Sequence, residues 1–252
     1  MMRVSKGGGR SSWAKTLWMA VRGLCVLKFS SWGNARTLGS LLGMASIVGF
    51  IAFLIGGESE GATLKSWIED EVSGIIVPLI CLSLTGGLIR SEIRDGTIEY
   101  LWTRSVTKSQ LILGTYICAV GGAMLTVAFL DFILCGVLFL EGNSFVAGEL
   151  VALVFAQGMA VIAYCALSLA IAAIFSKYMI VGVLYGVLVE IWLASVPSKV
   201  ALISVSYHLN AVIRGEEAYS SFTSGLAIAL VALVTSMFVF SSKSYTVGKK
   251  SD

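Results

Sequence analysis

Charged residues are scarce in this sequence: Asp, Glu, Lys and Arg make up 13% of its 252 residues, and hydrophobic residues make up 57%. Soluble globular domains carry about 25% charge. The low charge and a mean hydropathy of +0.88 therefore argue against a water-soluble fold. With two prolines and no low-complexity tract, the chain also contains no segment typical of a linker. The composition predicts a single domain built of membrane-spanning segments.

Motifs for catalysis and nucleotide binding are also missing. The only histidine is His208, which lies outside the apolar runs, and no H-E-x-x-H sequence occurs. The glycine-rich stretch Gly7–Ser12, G-G-G-R-S-S, lacks the spacing and the lysine of a G-x-x-x-x-G-K-[ST] phosphate loop. We therefore predict no catalytic residue, no metal site and no cofactor in this chain, and an intramembrane enzyme is poorly supported.

Six apolar runs approach the ~20 residues that a helix needs to cross a bilayer. Backbone groups in lipid must be hydrogen-bonded within their own segment, so helices are expected. The last run is short, and we expect it to extend towards Tyr245. Gly182 and Gly186, four residues apart, are typical of close helix packing. The runs are Leu38–Gly56, Val72–Ile89, Leu111–Leu140, Val146–Phe175, Met179–Val196 and Gly225–Phe240.

Basic residues are distributed unevenly between the two predicted sides of the membrane. If both termini are cytoplasmic, 15 of the 18 Lys and Arg residues lie on the cytoplasmic side, as the positive-inside rule requires. The net charge of +3 thus reflects topology and anionic lipid headgroups, not nucleic-acid binding. The spacing of apolar residues over Trp13–Phe29 predicts an amphipathic helix in the membrane interface.

We therefore predict an all-α integral membrane protein with six transmembrane helices, both termini cytoplasmic, preceded by an amphipathic interfacial helix. The predicted regions are a cytoplasmic N-terminus at 1–36, a transmembrane domain at 37–245 with a cytoplasmic loop at 90–110 and an outer segment at 197–224, and a cytoplasmic tail at 246–252.

The densest charge lies in the loop Arg90–Gln110, R-S-E-I-R-D-G-T-I-E-Y-L-W-T-R-S-V-T-K-S-Q. Mixed charge next to apolar side chains is more than a simple connection requires, and it predicts a surface that docks on a partner. Within this loop, Glu92-x-x-x-Gly96-Thr97-x-Glu99-x-Leu101 resembles the E-x-x-x-G-T-x-E-x-L signature of type-2 ABC transporter permeases. The family often has a proline and a lysine at the positions where this chain has Ser105 and Thr115.

The resemblance implies a membrane subunit that exports a substrate across a prokaryotic plasma membrane. It implies that Glu92, Gly96, Thr97, Glu99 and Leu101 contact or position a separate ABC ATP-binding subunit, present in two copies, which holds ATP and Mg. It also implies a second permease copy, as a homodimer or a related heterodimer. In the outer segment, the family often carries short helices that dip back towards the membrane and form an outer gate.

Three acidic residues, Asp131, Glu149 and Glu190, lie within or near the apolar runs. An ionisable residue in a membrane costs at least ~2.5 kcal/mol and is a functional candidate by default. Glu149 lies near the end of its run, where it is predicted to reach the interface. Asp131 and Glu190 are candidates for the substrate pathway: they can attract a cationic substrate, relay protons, or pair with polar groups between helices. The same residues leave open an ion-gradient-driven secondary transporter or a channel.

Overall fold

The computed structural model describes residues 47–48, 50–51, 66, 68–94, 107–140, 147–193, 199–215 and 218–242. Within these residues the backbone is almost entirely helical and contains no strand. The α-helices are, in chain order, α1 (Val77–Arg94), α2 (Lys108–Leu140), α3 (Ala147–Ile174), α4 (Tyr178–Tyr185), α5 (Val205–Arg214) and α6 (Ala218–Ser242). Two π-helical stretches extend them: Ile68–Ile76 runs directly into α1, and Gly186–Leu193 continues α4. A short 3₁₀-helix, Lys199–Ile203, precedes α5.

Within the described residues, four helical stretches are long and apolar enough to cross a membrane. They are Val72–Arg90, Lys108–Leu140, Gly148–Ile174 and Tyr219–Ser242, and each coincides with a run predicted from the sequence. For the described residues, the prediction of a helical chain with apolar helices long enough to cross a membrane is therefore confirmed.

The two other predicted spans have a different outcome. Met179–Val196 corresponds to a shorter apolar helix, Tyr178–Glu190. Most of Leu38–Gly56, the amphipathic helix at Trp13–Phe29 and both chain termini lie outside the described residues. The number of six spans and the orientation of the termini stay predictions.

Helix α3 occupies the centre of the bundle, where it packs against α1, α2, α4, α5 and α6. Much of its buried surface is alanine, and small side chains allow neighbouring helices to approach closely. A polar side chain on this surface therefore meets its neighbours inside the bundle. The buried alanines of α3 are Ala156, Ala160, Ala163, Ala166, Ala170, Ala172 and Ala173.

One end of the bundle collects three helix C-termini and two helix N-termini. The guanidinium of Arg90 on α1 donates to the carbonyl of Phe175, which directly follows α3. The ammonium of Lys108 on α2 donates to the carbonyl of Ser241 on α6 over 3.1 Å. Carbonyls at helix C-termini lack partners within their own helix, and cations are favoured there. We call this the basic end, after Arg90, Lys108 and Lys177.

Helices α1 and α4 lie in close contact. A β-carbon added at Gly182 would collide with the side chain of Leu82, and one added at Gly86 would collide with the ring of Tyr178. No atom lies within 4 Å of a β-carbon added at Gly186. Of the two glycines predicted to mediate packing, only Gly182 therefore does so in the described structure.

Candidate functional site

The segment predicted to contact an ATPase connects the C-terminus of α1 to the N-terminus of α2 along the chain. Glu92 lies in the last turn of α1, with its side chain outside the described part of the chain. The other predicted coupling residues, Gly96, Thr97, Glu99 and Leu101, fall outside the described residues. What the structure defines is the geometry of the two ends of this segment, and both ends lie at the basic end.

The start of α2 is fixed by a reciprocal pair of hydrogen bonds. The backbone N–H of Gln110 donates to the Thr107 hydroxyl oxygen over 3.3 Å, and the backbone N–H of Thr107 donates to Gln110 Oε1 over 3.0 Å. This is a capping box, which satisfies two N–H groups that a helix start leaves unpaired. Lys108, in the same turn, binds the end of α6. The helix that follows the segment therefore begins at a well-anchored N-terminus.

Glu190, one of the two predicted pathway residues, is 3% exposed and lies in the π-helical continuation of α4. A carboxylate offers about four lone-pair sites, and the protein supplies five donors to this one. Protein groups therefore saturate the Glu190 carboxylate. Its Oε2 accepts from the hydroxyls of Tyr164 (3.1 Å) and Ser204 (2.8 Å) and from the N–H of Ser206 (2.8 Å), and its Oε1 accepts from the hydroxyl of Tyr185 (2.7 Å) and the N–H of Val205 (3.4 Å).

Helix α5 directs its N-terminus at the Glu190 carboxylate. The first N–H groups of a helix have no partner within it, and the positive end of the helix dipole favours an anion there. Ser204 is the N-cap, and its hydroxyl oxygen also accepts from the N–H of Tyr207 over 3.3 Å. At the other end, Gly215 adopts a left-handed conformation with φ of 72°, and its N–H donates to the Val212 carbonyl. Both ends of this short helix are therefore capped.

The N-terminus of α5 lies inside the bundle. Its contact residue Tyr164 is ten residues from the end of α3 at Ile174, which is about 15 Å by helical rise. The other end of α5 leads through Gly215 to the start of α6, at the end of the bundle opposite the basic end. Helix α5 also buries Leu209 and Val212 among its neighbours. It therefore re-enters the bundle from the end opposite the basic end.

Asp131, the second predicted pathway residue, belongs to a separate polar cluster. Gln157 Nε2 on α3 donates to Asp131 Oδ1 over 3.2 Å and to the Ser73 hydroxyl oxygen over 3.3 Å. The Ser73 hydroxyl donates to the carbonyl of Ile68 over 3.3 Å. Gln157 is 2% exposed and Ser73 is fully buried, whereas Asp131 is half-buried. Among the described residues, Gln157 Oε1 has no hydrogen-bond partner.

One face of α3 connects the two clusters. Gln157 and Tyr164 are seven residues apart, which is two helical turns or about 10 Å along the axis. Asp131 and Glu190 therefore lie in separate clusters, each held by one residue of that face. Glu149 is exposed in the first turn of the same helix.

A cavity of about 110 Å³ lies beside Glu190, between α1, α3 and α4. Its walls are mostly apolar, and its lining includes the polar residues Tyr164, Ser168, Tyr185 and Glu190. The volume corresponds to three or four water molecules at ~30 Å³ each, well below the ~300 Å³ or more of a typical ligand pocket. In the conformation described, this cavity is too small for a drug-sized substrate.

Most residues that surround the two acids were not predicted from the sequence. Gln157 carried a usable signal, since an amide in the middle of an apolar run usually faces another helix. Ser204 and Gly215 also carried one, because Ser is favoured at helix N-caps and Gly after helix ends. Tyr164 and Tyr185 had no such signal. Their role depends on contacts between helices that are distant in sequence.

No protein-family model matches the chain, and no curated protein matches it.

Proposed function

We propose that the chain is the permease subunit of an ATP-driven ABC transporter and that it exports its substrate. The observation that carries this proposal is the E-x-x-x-G-T-x-E-x-L signature at Glu92–Leu101, which lies between the candidate spans Val72–Arg90 and Lys108–Leu140. Charged and polar residues at this position have no role in spanning a membrane. They suit a surface that docks on a soluble partner through paired charges.

The contacts at the basic end provide a physical route from that segment into the bundle. A displacement of the end of α1 acts on the Arg90 hydrogen bond to Phe175, between α3 and α4. A displacement of the start of α2 acts on the Lys108 hydrogen bond to Ser241 on α6. All four candidate spans are thus connected, through side chains, to the two ends of the proposed coupling segment.

In the assembly that we propose, two copies of a separate ATP-binding subunit hold ATP and Mg and bind the basic end. A second permease copy, identical or related, completes the pathway. The basic end faces the cytoplasm of a prokaryotic cell, with the chain in the plasma membrane and both termini cytoplasmic. Helix α5, which re-enters the bundle from the opposite end, is then suited to act as a gate on the outer side.

A secondary transporter driven by an ion gradient is the alternative, and one observation favours it. Glu190 is buried inside the bundle and Asp131 is half-buried at its edge, and neither forms an ion pair within the described part of the chain. Intramembrane acids without a basic partner are typical of proton and ion pathways. Dependence of transport on an ATPase distinguishes the two mechanisms.

Affinity purification of the tagged full-length chain from detergent-solubilised membranes of its own host tests the proposal. Wild type is compared with Glu92→Ala and Glu99→Arg, and Glu149→Ala serves as the matched control because this exposed acid lies at the opposite end of α3. All four proteins are first checked for equal amounts in the membrane and a single elution peak.

We expect wild type and the control to recover a P-loop ATPase that the two loop variants recover at a tenth of that amount or less. Equal recovery by all four proteins would contradict the assignment of Glu92 and Glu99 to the contact. Absence of an ATPase from every sample, with transport abolished by an uncoupler, would favour the gradient-driven mechanism.

A further inference from the structure

The cluster of Asp131, Gln157 and Ser73 contains more hydrogen-bond acceptors than donors. Gln157 Nε2 is shared between Asp131 Oδ1 and the Ser73 hydroxyl, and the Ser73 hydroxyl hydrogen is directed at the Ile68 carbonyl. Asp131 Oδ2 and Gln157 Oε1 remain without a donor from the described residues. The orientation of the amide follows from its partner, because a carboxylate oxygen requires the NH₂ side of the amide.

An unsatisfied amide oxygen in this position is costly. Gln157 is 98% buried, and leaving a buried polar group unpaired costs about 1–3 kcal/mol. The carboxylate next to it has no cation as a partner within the described residues. A ligand with a positive charge and N–H donors would pair the Gln157 amide oxygen and also neutralise the charge of the Asp131 carboxylate.

The ligand chemistry follows from the number and type of acceptors. A hard metal ion such as Ca²⁺ or Mg²⁺ takes about six or more oxygen ligands, and this cluster offers a carboxylate, one amide oxygen and one hydroxyl. A protonated amine has up to three N–H donors, enough for the two acceptors that lack a donor, Asp131 Oδ2 and Gln157 Oε1; the Ser73 oxygen already accepts from Gln157 Nε2. Charge-assisted hydrogen bonds of this kind are among the strongest in proteins.

The surroundings of Asp131 indicate how such a group would reach the cluster. Asp131 lies at the border between the buried face of α2, with Leu130 and Leu134, and its exposed face. The neighbouring Phe132 is 77% exposed. An amine approaching from the bilayer would therefore pass an apolar surface, which favours an amine attached to an apolar body.

We propose that Asp131, Gln157 and Ser73 form a binding site for the protonated amine of an amphipathic molecule. The source of the amine is either a lipid headgroup or a free amphipathic amine. That this molecule is the transported substrate rests on the function proposed above, whereas the binding site itself does not.

The test is equilibrium binding of radiolabelled hexadecylamine to the purified full-length chain in phosphatidylcholine nanodiscs, with neither ATP nor an ATPase present. Phosphatidylcholine is chosen because its headgroup carries no N–H. Wild type is compared with Asp131→Asn, which removes the charge at constant size, and with Gln157→Met, which removes the amide without changing the charge. Glu149→Gln is the control at an exposed acid.

We expect saturable binding by wild type and the control, at least tenfold weaker binding by Asp131→Asn, and binding weakened several-fold by Gln157→Met. Hexadecyltrimethylammonium, which has the charge but no N–H, and hexadecanol, which has neither, should compete at least tenfold less well than the amine. Competition by phosphatidylethanolamine in the nanodisc would identify a lipid headgroup as the source, and its failure to compete would identify a free amine.

The proposal is overturned if wild type shows no saturable binding or if Asp131→Asn binds as well as wild type. It is also overturned if the trimethylammonium compound competes as well as the amine, because the site would then respond to charge alone. These results are separate from those on coupling. Absence of an ATPase from every affinity-purified sample, with amine binding intact, would refute the ABC assignment and leave this site in place.

Discussion

Removal of the Glu190 carboxylate should release the N-terminus of α5 from the interior of the bundle. Glu190→Ala leaves all five donors without the oxygens that now accept from them, and three of the five, those of Tyr164, Ser204 and Ser206, are buried donors to Oε2. At about 1–3 kcal/mol for each buried group left unsatisfied, the free energy of unfolding should fall by about 3 kcal/mol or more.

Glu190→Gln is the milder change, because an amide oxygen in the place of Oε2 still accepts from the same three donors. The amide nitrogen then faces the N–H of Val205, donor against donor, although that bond is already long at 3.4 Å. The remaining bonds lose the extra strength that a charged acceptor gives, while the cost of burying a charge also disappears. We expect a loss of about 1–2 kcal/mol.

Two measurements check this prediction on purified protein in detergent or nanodiscs. Thermal denaturation should rank wild type above Glu190→Gln and Glu190→Ala lowest, with Glu149→Gln equal to wild type because that glutamate is exposed. Hydrogen–deuterium exchange should rise in α5 far more than in α6. If Glu190→Ala is as stable as wild type and α5 exchanges at the wild-type rate, the carboxylate does not hold this helix.

Three further predictions concern packing and backbone conformation, each measured as the midpoint of thermal denaturation. Gly182→Ala should destabilise the fold by about 1–3 kcal/mol through overpacking. Gly186→Ala is the control, because it makes the same change in helix propensity in open space, and it should not destabilise the fold. Equal midpoints for the two variants would contradict the close contact of α1 and α4 at Gly182. Gly215→Ala should cost about 1–2 kcal/mol because its φ of 72° is unfavourable for a residue with a β-carbon, and Gly215→Asn should cost less. Phe240→Ala removes a fully buried side chain and should lower the free energy of unfolding by about 3 kcal/mol. Phe238→Ala removes a side chain that is 74% exposed and should lower it little. Similar losses for both variants would refute the burial of Phe240.

Hydropathy alone was sufficient to find the long helices. The sequence predicted Leu111–Leu140 and the structure has Lys108–Leu140, because a run of apolar residues in a membrane has no alternative to a helix. The three extra residues come from the capping box at Thr107 and Gln110, a local signal that hydropathy does not register. The last span begins at Tyr219, earlier than predicted. Hydropathy missed its first turns because several residues there are polar.

The acidic residues of the candidate site were predictable from the sequence, but the residues that form hydrogen bonds with them were not. Asp131 and Glu190 were selected because ionisable residues inside a membrane are costly; Glu190 is buried inside the bundle, and Asp131 is half-buried at its edge. The identity of their partners depends on how α2, α3 and α5 pack, and neither periodicity nor composition encodes that packing. Whether these acids contact a substrate stays a prediction, as do the roles of the coupling residues.

The many alanines on α3 have a consequence for how the bundle can move. Alanine has no side-chain torsion and projects little, so a helix with an alanine surface can slide past its neighbours with few rotamer changes. Such small sliding steps of packed helices are the basis of shear motions. Gln157 and Tyr164 form hydrogen bonds from α3 to other helices, and the Ile162 carbonyl of α3 accepts one from the Tyr116 hydroxyl of α2. A shift of the central helix along its axis would therefore require these hydrogen bonds to exchange partners.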